Sequence, residues 1–202
     1  MSTYPLATPS SESPTVLRLF EAAADAFGAK GFHATTTRDI ASRAGLSPAG
    51  VYVHFASKED LLFQLCREGH EVARDSLAAA AAKATTPSDA LAAIIGEFAR
   101  WHAEQHQVAR IVQYEFRHLS PEHQHEVLGL RREIDAVVRG VVEDGVATGK
   151  FDVDDARTTA LALLSLVVDV ARWYHPDVRR TPEEIQTTYA DLALRLVGAH
   201  PR

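Results

Sequence analysis

The sequence predicts an all-α protein of about nine helices. Apolar residues recur at spacings of three and four through most of the chain, which is the pattern of amphipathic helices. Ser, Thr or Pro stands where most of these segments begin, and Gly or Pro stands where several of them end. The second half of the chain lacks the alternation of apolar and polar residues that is typical of strands.

Composition limits the class of protein. A chain of 202 residues with 46% apolar residues can form one or two globular domains with a substantial core. Its formal net charge of −6 argues against a chain that coats nucleic acid along its whole surface. The single cysteine, Cys66, excludes an intrachain disulfide. Without a signal-sequence pattern or an apolar run that could span a bilayer, we expect a cytoplasmic protein with no membrane contact.

The first helix is predicted over residues 14–31, after a disordered arm at residues 1–14 that is rich in Ser, Thr and Pro. The apolar stripe of this helix has the spacing four, three, four and consists of Val16, Phe20, Ala23 and Phe27. Gly31 is predicted to end it.

Two short helices and the start of a longer one are predicted within residues 35–62. Thr36 is a favourable N-cap, and Asp39 three residues later completes a capping box. Gly45 supplies the left-handed residue that ends the first helix. The second short helix is capped by Ser47 and has Pro48 at its first helical position. The longer helix is capped by Ser57 and has Asp60 at its third position.

The second short helix has an unusual outward face. Val51 and Phe55 are four residues apart and are predicted to face the first short helix. The opposite face has no carboxylate and consists of Ala49, Gly50, Tyr52 and His54. Gly inside a helix costs about 1 kcal/mol relative to Ala, so close approach by another surface is one reason to keep Gly50. Residues 36–58 carry a net charge of +2, which suits an anionic partner.

Helix, glycine-containing turn, helix is the helix-turn-helix arrangement, whose second helix enters the major groove of DNA. Residues 35–62 resemble the DNA-binding sequence of the tetracycline-repressor (TetR) family of one-component bacterial regulators. The Ala-Gly-Leu-Ser turn, the Tyr-x-His-Phe run and the Ser-Lys-Glu-x-Leu start of the third helix match that family's spacing. The alternative is a structural helical hairpin, which has no need of Tyr52, His54 and Lys58 on one side.

This resemblance implies a DNA-binding domain at residues 15–60 and an effector-binding and dimerisation domain at residues 61–202. In such a domain Tyr52, His54 and Lys58 would contact phosphates, with Lys58 at a helix N-terminus. Arg38 is the best candidate for a bidentate guanine contact. The implied DNA contacts are Thr36, Thr37, Arg38, Ser47, Pro48, Ala49, Gly50, Tyr52, His54 and Lys58.

Five further helices are predicted over residues 88–105, 107–118, 121–146, 154–174 and 182–197. The last two have more apolar surface than a monomer needs, so we expect them to form a four-helix bundle with a second copy. The predicted interface residues are Leu161, Leu164, Val168, Tyr189, Leu192 and Leu196. The alternative is that residues 154–174 form the central core helix of a single chain.

A small-molecule site is also predicted, from polar and aromatic residues on otherwise apolar helices. They are Trp101, His102, Gln113, Tyr114, Arg117, Arg172, Trp173 and Tyr174. Taken one at a time, such residues are more often core or rim residues than ligand contacts. Residues 115–121 and 169–176 resemble actinobacterial family members that regulate fatty-acid or steroid breakdown and sense acyl-CoA thioesters. That resemblance implies an apolar cavity with Arg residues near its mouth for an anionic head group.

These expectations describe a dimeric repressor that binds a palindromic operator and is released by a ligand. The alternatives are a helical enzyme, a metal- or ligand-binding protein without a transcriptional role, and a DNA-binding protein without an effector. No Ser/His/Asp arrangement or Gly-rich phosphate loop supports an enzyme. His102 and His106 have a spacing that can bind zinc, but a site needs three or four ligands, so we expect no metal and no cofactor.

Overall fold

The computed structural model describes residues 13–175 and 177–199 of the chain. These residues form α-helices and one short 3₁₀-helix, with no strand among them, which confirms the predicted all-α fold. In chain order the helices are α1 (Pro14–Ala34), α2 (Thr37–Arg43), α3 (Pro48–Tyr52), α4 (Lys58–Lys83), α5 (Pro87–Glu104), α6 (His106–Tyr114), the 3₁₀-helix η1 (Phe116–His118), α7 (Pro121–Ala147), α8 (Ala156–Val168), α9 (Val170–Trp173) and α10 (Pro182–Leu196).

The chain divides into two compact units. Unit 1 contains the described residues up to His70 together with Gln107–Leu128, and unit 2 contains Glu71–His106 and the described residues from Gly129 onward. The start of α4, most of α6 and the start of α7 thus belong to the same compact unit as α1–α3, and the domain border between residues 60 and 61 stays a prediction. The functions assigned to residues 15–60 and 61–202 stay predictions.

The predicted arm, residues 1–14, lies outside the described residues except for its last two. Ser13 is the N-cap of α1, and its hydroxyl accepts the N–H of Val16 at 3.3 Å. Pro14 occupies the first helical position, where its missing N–H costs nothing. The first helix therefore begins where the sequence places it.

Unit 1 is built around the apolar side of α1. Phe20 packs against Phe55 with ring centroids 5.6 Å apart, and Phe27 packs against Phe32 at 5.5 Å. Gly31 has φ +76°, so α1 is kinked there, but the helix resumes and ends at Ala34 rather than at Gly31 as predicted. The largest fully buried side chains of this unit are Leu19, Phe27, Ile40, Leu61, Leu62, Leu65 and Val127.

Unit 2 is built around the close packing of α5 on α10. A Cβ at Gly96 would lie 3.1 Å from the carbonyl oxygen of Gln186, which is closer than ordinary van der Waals contact, so the two helices approach closely there. The helix predicted over residues 154–174 is interrupted at Asp169, which separates α8 from α9. The helix predicted over residues 107–118 is likewise interrupted after Tyr114.

No helix among the described residues combines the length and the apolar character that crossing a membrane requires.

Candidate nucleic-acid interface

The helices α2 and α3 are joined by a tight turn that the local sequence specifies. The predicted capping box of α2 is present, since Thr36 Oγ1 accepts the Asp39 N–H while the Asp39 carboxylate accepts the Thr36 N–H. Gly45 has φ +67°, and the N–H of Leu46 donates to the carbonyl oxygen of Ala41 at 2.9 Å. Ser47 then caps α3 by accepting the Gly50 N–H at 3.1 Å.

α3 is held by two apolar side chains and leaves its other face open. Val51 and Phe55 are buried, and the ring of Phe55 packs against Phe20 of α1. On the outer face Tyr52 is 55% exposed, and Ser47, Ala49 and His54 are exposed as well. The face therefore offers short side chains, one phenol and one imidazole to a partner.

Gly50 has no role inside the protein that requires a glycine. Its φ is not in the left-handed region, and an added Cβ would meet only Leu46 Cβ and Ser47 Oγ, both at the ordinary contact distance of 3.6 Å. Because Gly weakens a helix relative to Ala, close approach of another surface to Gly50 stays a prediction.

The predicted contacts of α2 and α3 lie next to each other. The Tyr52 hydroxyl donates to Thr37 Oγ1 at 3.4 Å, which joins the end of α3 to the start of α2. Arg38, the next residue of α2, is exposed. The hydroxyl of Thr36, in contrast, is engaged in the cap of α2.

Every carboxylate between residues 36 and 60 accepts hydrogen bonds from within the protein. Asp39 accepts from the Thr36 N–H and from the Lys30 ammonium, and these bonds lower the pKa of Asp39 to about 2. Glu59 accepts from the Ser120 N–H at 2.8 Å and from His123 Nδ1 at 2.9 Å. Asp60 accepts from the Ala56 N–H at 2.8 Å. The exposed charges of α2 that remain are the guanidinium groups of Arg38 and Arg43.

Lys58 is placed differently from the other predicted DNA contacts. Its side chain is half-buried, and its ammonium donates to the carbonyl oxygens of Phe32 and Thr35, each at 2.7 Å. It also lies over the ring of Phe32, 4.2 Å from the centroid, and burial lowers its pKa. A phosphate contact by this ammonium stays a prediction and would compete with these two bonds.

Val53 is a residue that the sequence analysis missed. It follows Tyr52 at the end of α3 and is 79% exposed, the highest exposure among the large apolar residues that the structure describes. Its position between Tyr52 and His54 could have indicated an outward side chain. Its apolar side chain at the edge of this face suits contact with a thymine methyl group.

The predicted ligand-binding residues are divided between the two units. In unit 2, His102 is buried against the rings of Phe98 and Trp101. The Arg172 guanidinium forms two hydrogen bonds with the carboxylate of Asp169, at 2.6 and 2.7 Å. Trp173 and Tyr174 belong to the same unit, whereas Gln113, Tyr114 and Arg117 belong to unit 1.

A small cavity of about 60 Å³ lies within unit 2 beside one of these residues. It is lined by Val72, Ala73, Ser76, Leu77, Glu97, Phe98 and Trp101. Binding sites for small molecules usually measure about 300–1,000 Å³, so this cavity would have to widen to hold one.

The predicted dimer residues fall into two groups. Leu161, Leu192 and Leu196 are exposed, with Leu161 at 61%. Leu164 and Tyr189 pack partly against the core of their own unit, and Val168 is half-buried. Leu166, which the sequence analysis did not include, is exposed on α8 as well.

The described residues contain no group of three or more His, Cys, Asp or Glu side chains that could hold a metal ion. His102 and His106, the pair with zinc-like spacing, each direct Nδ1 to a backbone carbonyl, that of Phe98 at 2.8 Å and that of Ala103 at 3.0 Å.

Two family models match the chain over most of its length. The model described as bacterial regulatory proteins, tetR family, matches residues 19–65. The model described as the tetracyclin repressor-like C-terminal domain matches residues 84–197, which is more than half of the chain. The chain therefore belongs to the TetR family, and it is a transcriptional regulator rather than an enzyme.

Several relatives resemble it over nearly the whole length. The HTH-type transcriptional repressor KstR2 of Rhodococcus jostii RHA1 is 31% identical over 207 residues and covers 96% of each chain. The crystal structure of a tetR-family regulatory protein from Rhodococcus RHA1 is 37% identical, with a TM-score of 0.87 over 94% of this chain and 100% of that one. AibR, solved with isovaleryl coenzyme A and operator DNA, has a TM-score of 0.81 over 92% of this chain and 100% of its own, and its 20% identity shows the fold alone.

Proposed function

We propose that this chain is a cytoplasmic repressor that binds a palindromic operator as a dimer and is released by a small-molecule ligand. One observation carries the DNA-binding part. The outer face of α2 and α3 presents two exposed arginines, a phenol and small side chains, while every nearby carboxylate is bonded inside the protein. Such a face can approach DNA closely without repelling its phosphates.

The face divides into contacts that hold DNA and contacts that select its sequence. Tyr52, His54 and Thr37 bind phosphates, which every sequence offers. Arg38 forms a bidentate contact to guanine, and the small edge at Ser47, Pro48, Ala49 and Gly50 lies close to the floor of the major groove.

Selection of duplexes from a random pool by the purified protein, followed by binding measurements at several salt concentrations, tests this proposal. Tyr52→Phe removes a hydroxyl and is expected to weaken binding to all recovered sequences alike, by roughly fivefold. Arg38→Ala is expected to change which sequence is preferred. An unchanged preference after Arg38→Ala would contradict the assigned guanine contact, and a wild-type protein that binds no duplex would contradict the function.

A second copy of the chain would pack on the exposed leucines of α8 and α10. Leu161, Leu192 and Leu196 are apolar side chains that the single chain leaves exposed. A two-fold symmetric dimer would present two copies of α3 to major grooves one helical turn apart, about 34–36 Å, or a multiple of that distance. The palindromic operator follows from that symmetry.

The effector that we propose is an acyl-CoA thioester. The support is the resemblance of residues 115–121 and 169–176 to acyl-CoA-sensing regulators, together with the isovaleryl coenzyme A that AibR holds in the same fold. A 100-fold loss of operator affinity requires about 2.7 kcal/mol of coupling, which lies within the usual allosteric range. By the same coupling, operator DNA weakens ligand binding 100-fold.

The two tryptophans of the chain, Trp101 and Trp173, both belong to the predicted ligand-binding set. Their fluorescence can therefore be followed while isovaleryl-CoA, a long-chain acyl-CoA, a steroid-derived acyl-CoA or free coenzyme A is added. We expect one thioester class to change the fluorescence and release the duplex, while free coenzyme A does neither. Duplex binding that persists with every thioester would contradict the proposed acyl-CoA effector but not the DNA-binding function.

A further inference from the structure

A single ammonium group links the start of α4 to the end of α1 in unit 1. Lys58 is the first residue of α4, and its Nζ lies 2.7 Å from the carbonyl oxygen of Phe32 near the end of α1 and 2.7 Å from that of Thr35. Thr35 is the residue immediately before Thr36, the N-cap of α2. Carbonyls at the end of a helix lack intrahelical donors and carry partial negative charge, so a cation is favourable there.

The ring of Phe32 extends this joint to η1. Lys58 lies over that ring at 4.2 Å, and the imidazole of His118 stacks on it with centroids 5.3 Å apart and an interplanar angle of 11°. His118 also meets the ring of His33 at 4.2 Å and the carboxylate of Glu115 at 3.3 Å. We call Lys58, Phe32 and His118 the α1 clamp.

The α1 clamp contacts the residue that precedes the cap of α2. Thr35 is buried, and its hydroxyl donates to the carbonyls of Ala26 and Gly31 while its own carbonyl accepts from Lys58. From that fixed residue the chain enters the cap at Thr36 and then Thr37, whose hydroxyl accepts from Tyr52 of α3. A shift at the clamp would thus be passed to both helices of the DNA-reading pair.

We propose that Lys58 is a positioning residue for operator recognition, acting inside the protein through the α1 clamp rather than on a DNA phosphate. Two of its three N–H donors are already bonded to carbonyls, and its ammonium makes a cation–π contact with the face of the Phe32 ring. This inference rests on the proposed DNA-binding function, and it reassigns one predicted contact from the DNA to the protein.

The salt dependence of binding separates the two roles. Each phosphate contact that a cation makes releases counterions and contributes about 0.9 to the slope of log affinity against log salt. Lys58→Met removes the charge and both hydrogen bonds, so we expect at least tenfold weaker binding to the selected duplex with the wild-type slope. Removal of a cation that contacts a DNA phosphate would instead lower the slope by about one.

Thermal unfolding supplies the second readout. Lys58→Met is expected to lower Tm by about 4–8 °C, whereas Lys150→Met at an exposed lysine of unit 2 should leave it unchanged. His118→Ala, at a residue not assigned to the DNA, should weaken duplex binding with the wild-type slope, and His118→Phe should restore it by keeping the stack. If Lys58→Met does not fold, Lys58→Gln keeps an N–H donor without the charge and serves the same slope test.

The affinities are compared at a temperature at which circular dichroism shows every variant folded. A slope lowered by about one in Lys58→Met would place Lys58 on a phosphate and overturn the proposal. Wild-type affinity in the folded Lys58→Met protein would reduce the residue to a structural role and overturn it as well. If the wild-type protein binds no duplex, the proposed function fails, and this is seen before any variant is measured.

Discussion

The two compact units hold their residues in place by different means. Around the predicted DNA face of unit 1, hydrogen bonds to backbone groups fix short helices: the box at Thr36 and Asp39, the cap at Ser47 and the ammonium of Lys58. In unit 2, long helices press together through apolar surfaces with little space between them, as at Gly96.

Because of this difference, substitutions in the two units should affect different properties, binding in one case and stability in the other. On the DNA face, side chains that point outward contribute little to the free energy of unfolding, so substitutions there should change binding and leave stability nearly intact. At a tightly packed position of unit 2 such as Gly145, an added methyl group has no space, so stability should change first.

Gly145→Ala should cause the largest loss of stability. A Cβ at this position of α7 would lie 1.9 Å from Phe151 Cδ2, so the buried Phe151 ring would have to move. We expect the free energy of unfolding to fall by about 3 kcal/mol, measured by urea denaturation.

Gly140→Ala is the matched control, because nothing lies within 4 Å of a Cβ added there and the same helix should gain up to about 1 kcal/mol. Equal stability of the Gly145→Ala and Gly140→Ala proteins would mean that unit 2 is not tightly packed at this point.

Leu192→Glu should dissociate the proposed dimer. The side chain is 45% exposed on α10, and a carboxylate buried at an apolar interface would weaken association by about 100-fold. Light scattering of the protein as it elutes from a size-exclusion column measures the mass of the assembly directly. Leu128→Glu, at another exposed leucine on α7, should leave the mass unchanged. A monomeric wild-type protein, or a dimeric Leu192→Glu variant, would show that α10 does not form the interface.

Gly50→Ala should separate stability from binding most clearly. The added methyl group fits within the protein and should raise the free energy of unfolding by about 0.5–1 kcal/mol, while it weakens duplex binding by roughly tenfold through contact with the DNA. Gly28→Ala in α1 also has open space around its Cβ and should stabilise without affecting binding. Undiminished duplex binding by Gly50→Ala would show that DNA does not approach α3 closely at this position.

Asp39→Asn should give the smallest effect and one that depends on pH. The folded-state pKa of Asp39 is about 2, below its ordinary value of 3.8, so the ionised carboxylate stabilises the fold. That contribution is complete at pH values above 3.8 and disappears as the pH falls toward 2. The difference in unfolding free energy between wild type and Asp39→Asn, followed by acid titration of both proteins, should shrink over that range. A difference that is constant with pH would contradict the assigned pKa.

The sequence was most informative where structure is determined by neighbouring residues. The capping box that begins α2, the cap at Ser47 and the left-handed Gly45 all involve residues within five positions of one another, and each is present. The residues around Tyr52 and His54 likewise indicated an outward face, because helical periodicity assigns each residue to one side of the helix.

Contacts between distant residues could not be foreseen from spacing. Lys58 bonds to residues 23 and 26 positions earlier, and Glu59 bonds to Ser120, which is 61 positions later. The interruption at Asp169 was also missed, since the apolar pattern runs on through residues 170–174 while the backbone turns. The separation of the predicted ligand residues into two units has the same origin, because periodicity does not reveal which helices pack together.

The recognition helix α3 is only five residues long and is anchored mainly by one buried side chain of its own, Val51, with Phe55 just beyond. Ala49 and Val53, in contrast, are exposed and touch little of the protein interior. Over evolutionary time these outward positions can be exchanged without endangering the fold. A duplicated gene for such a regulator can therefore acquire control of a new promoter by a few substitutions, while its sensing half continues unchanged.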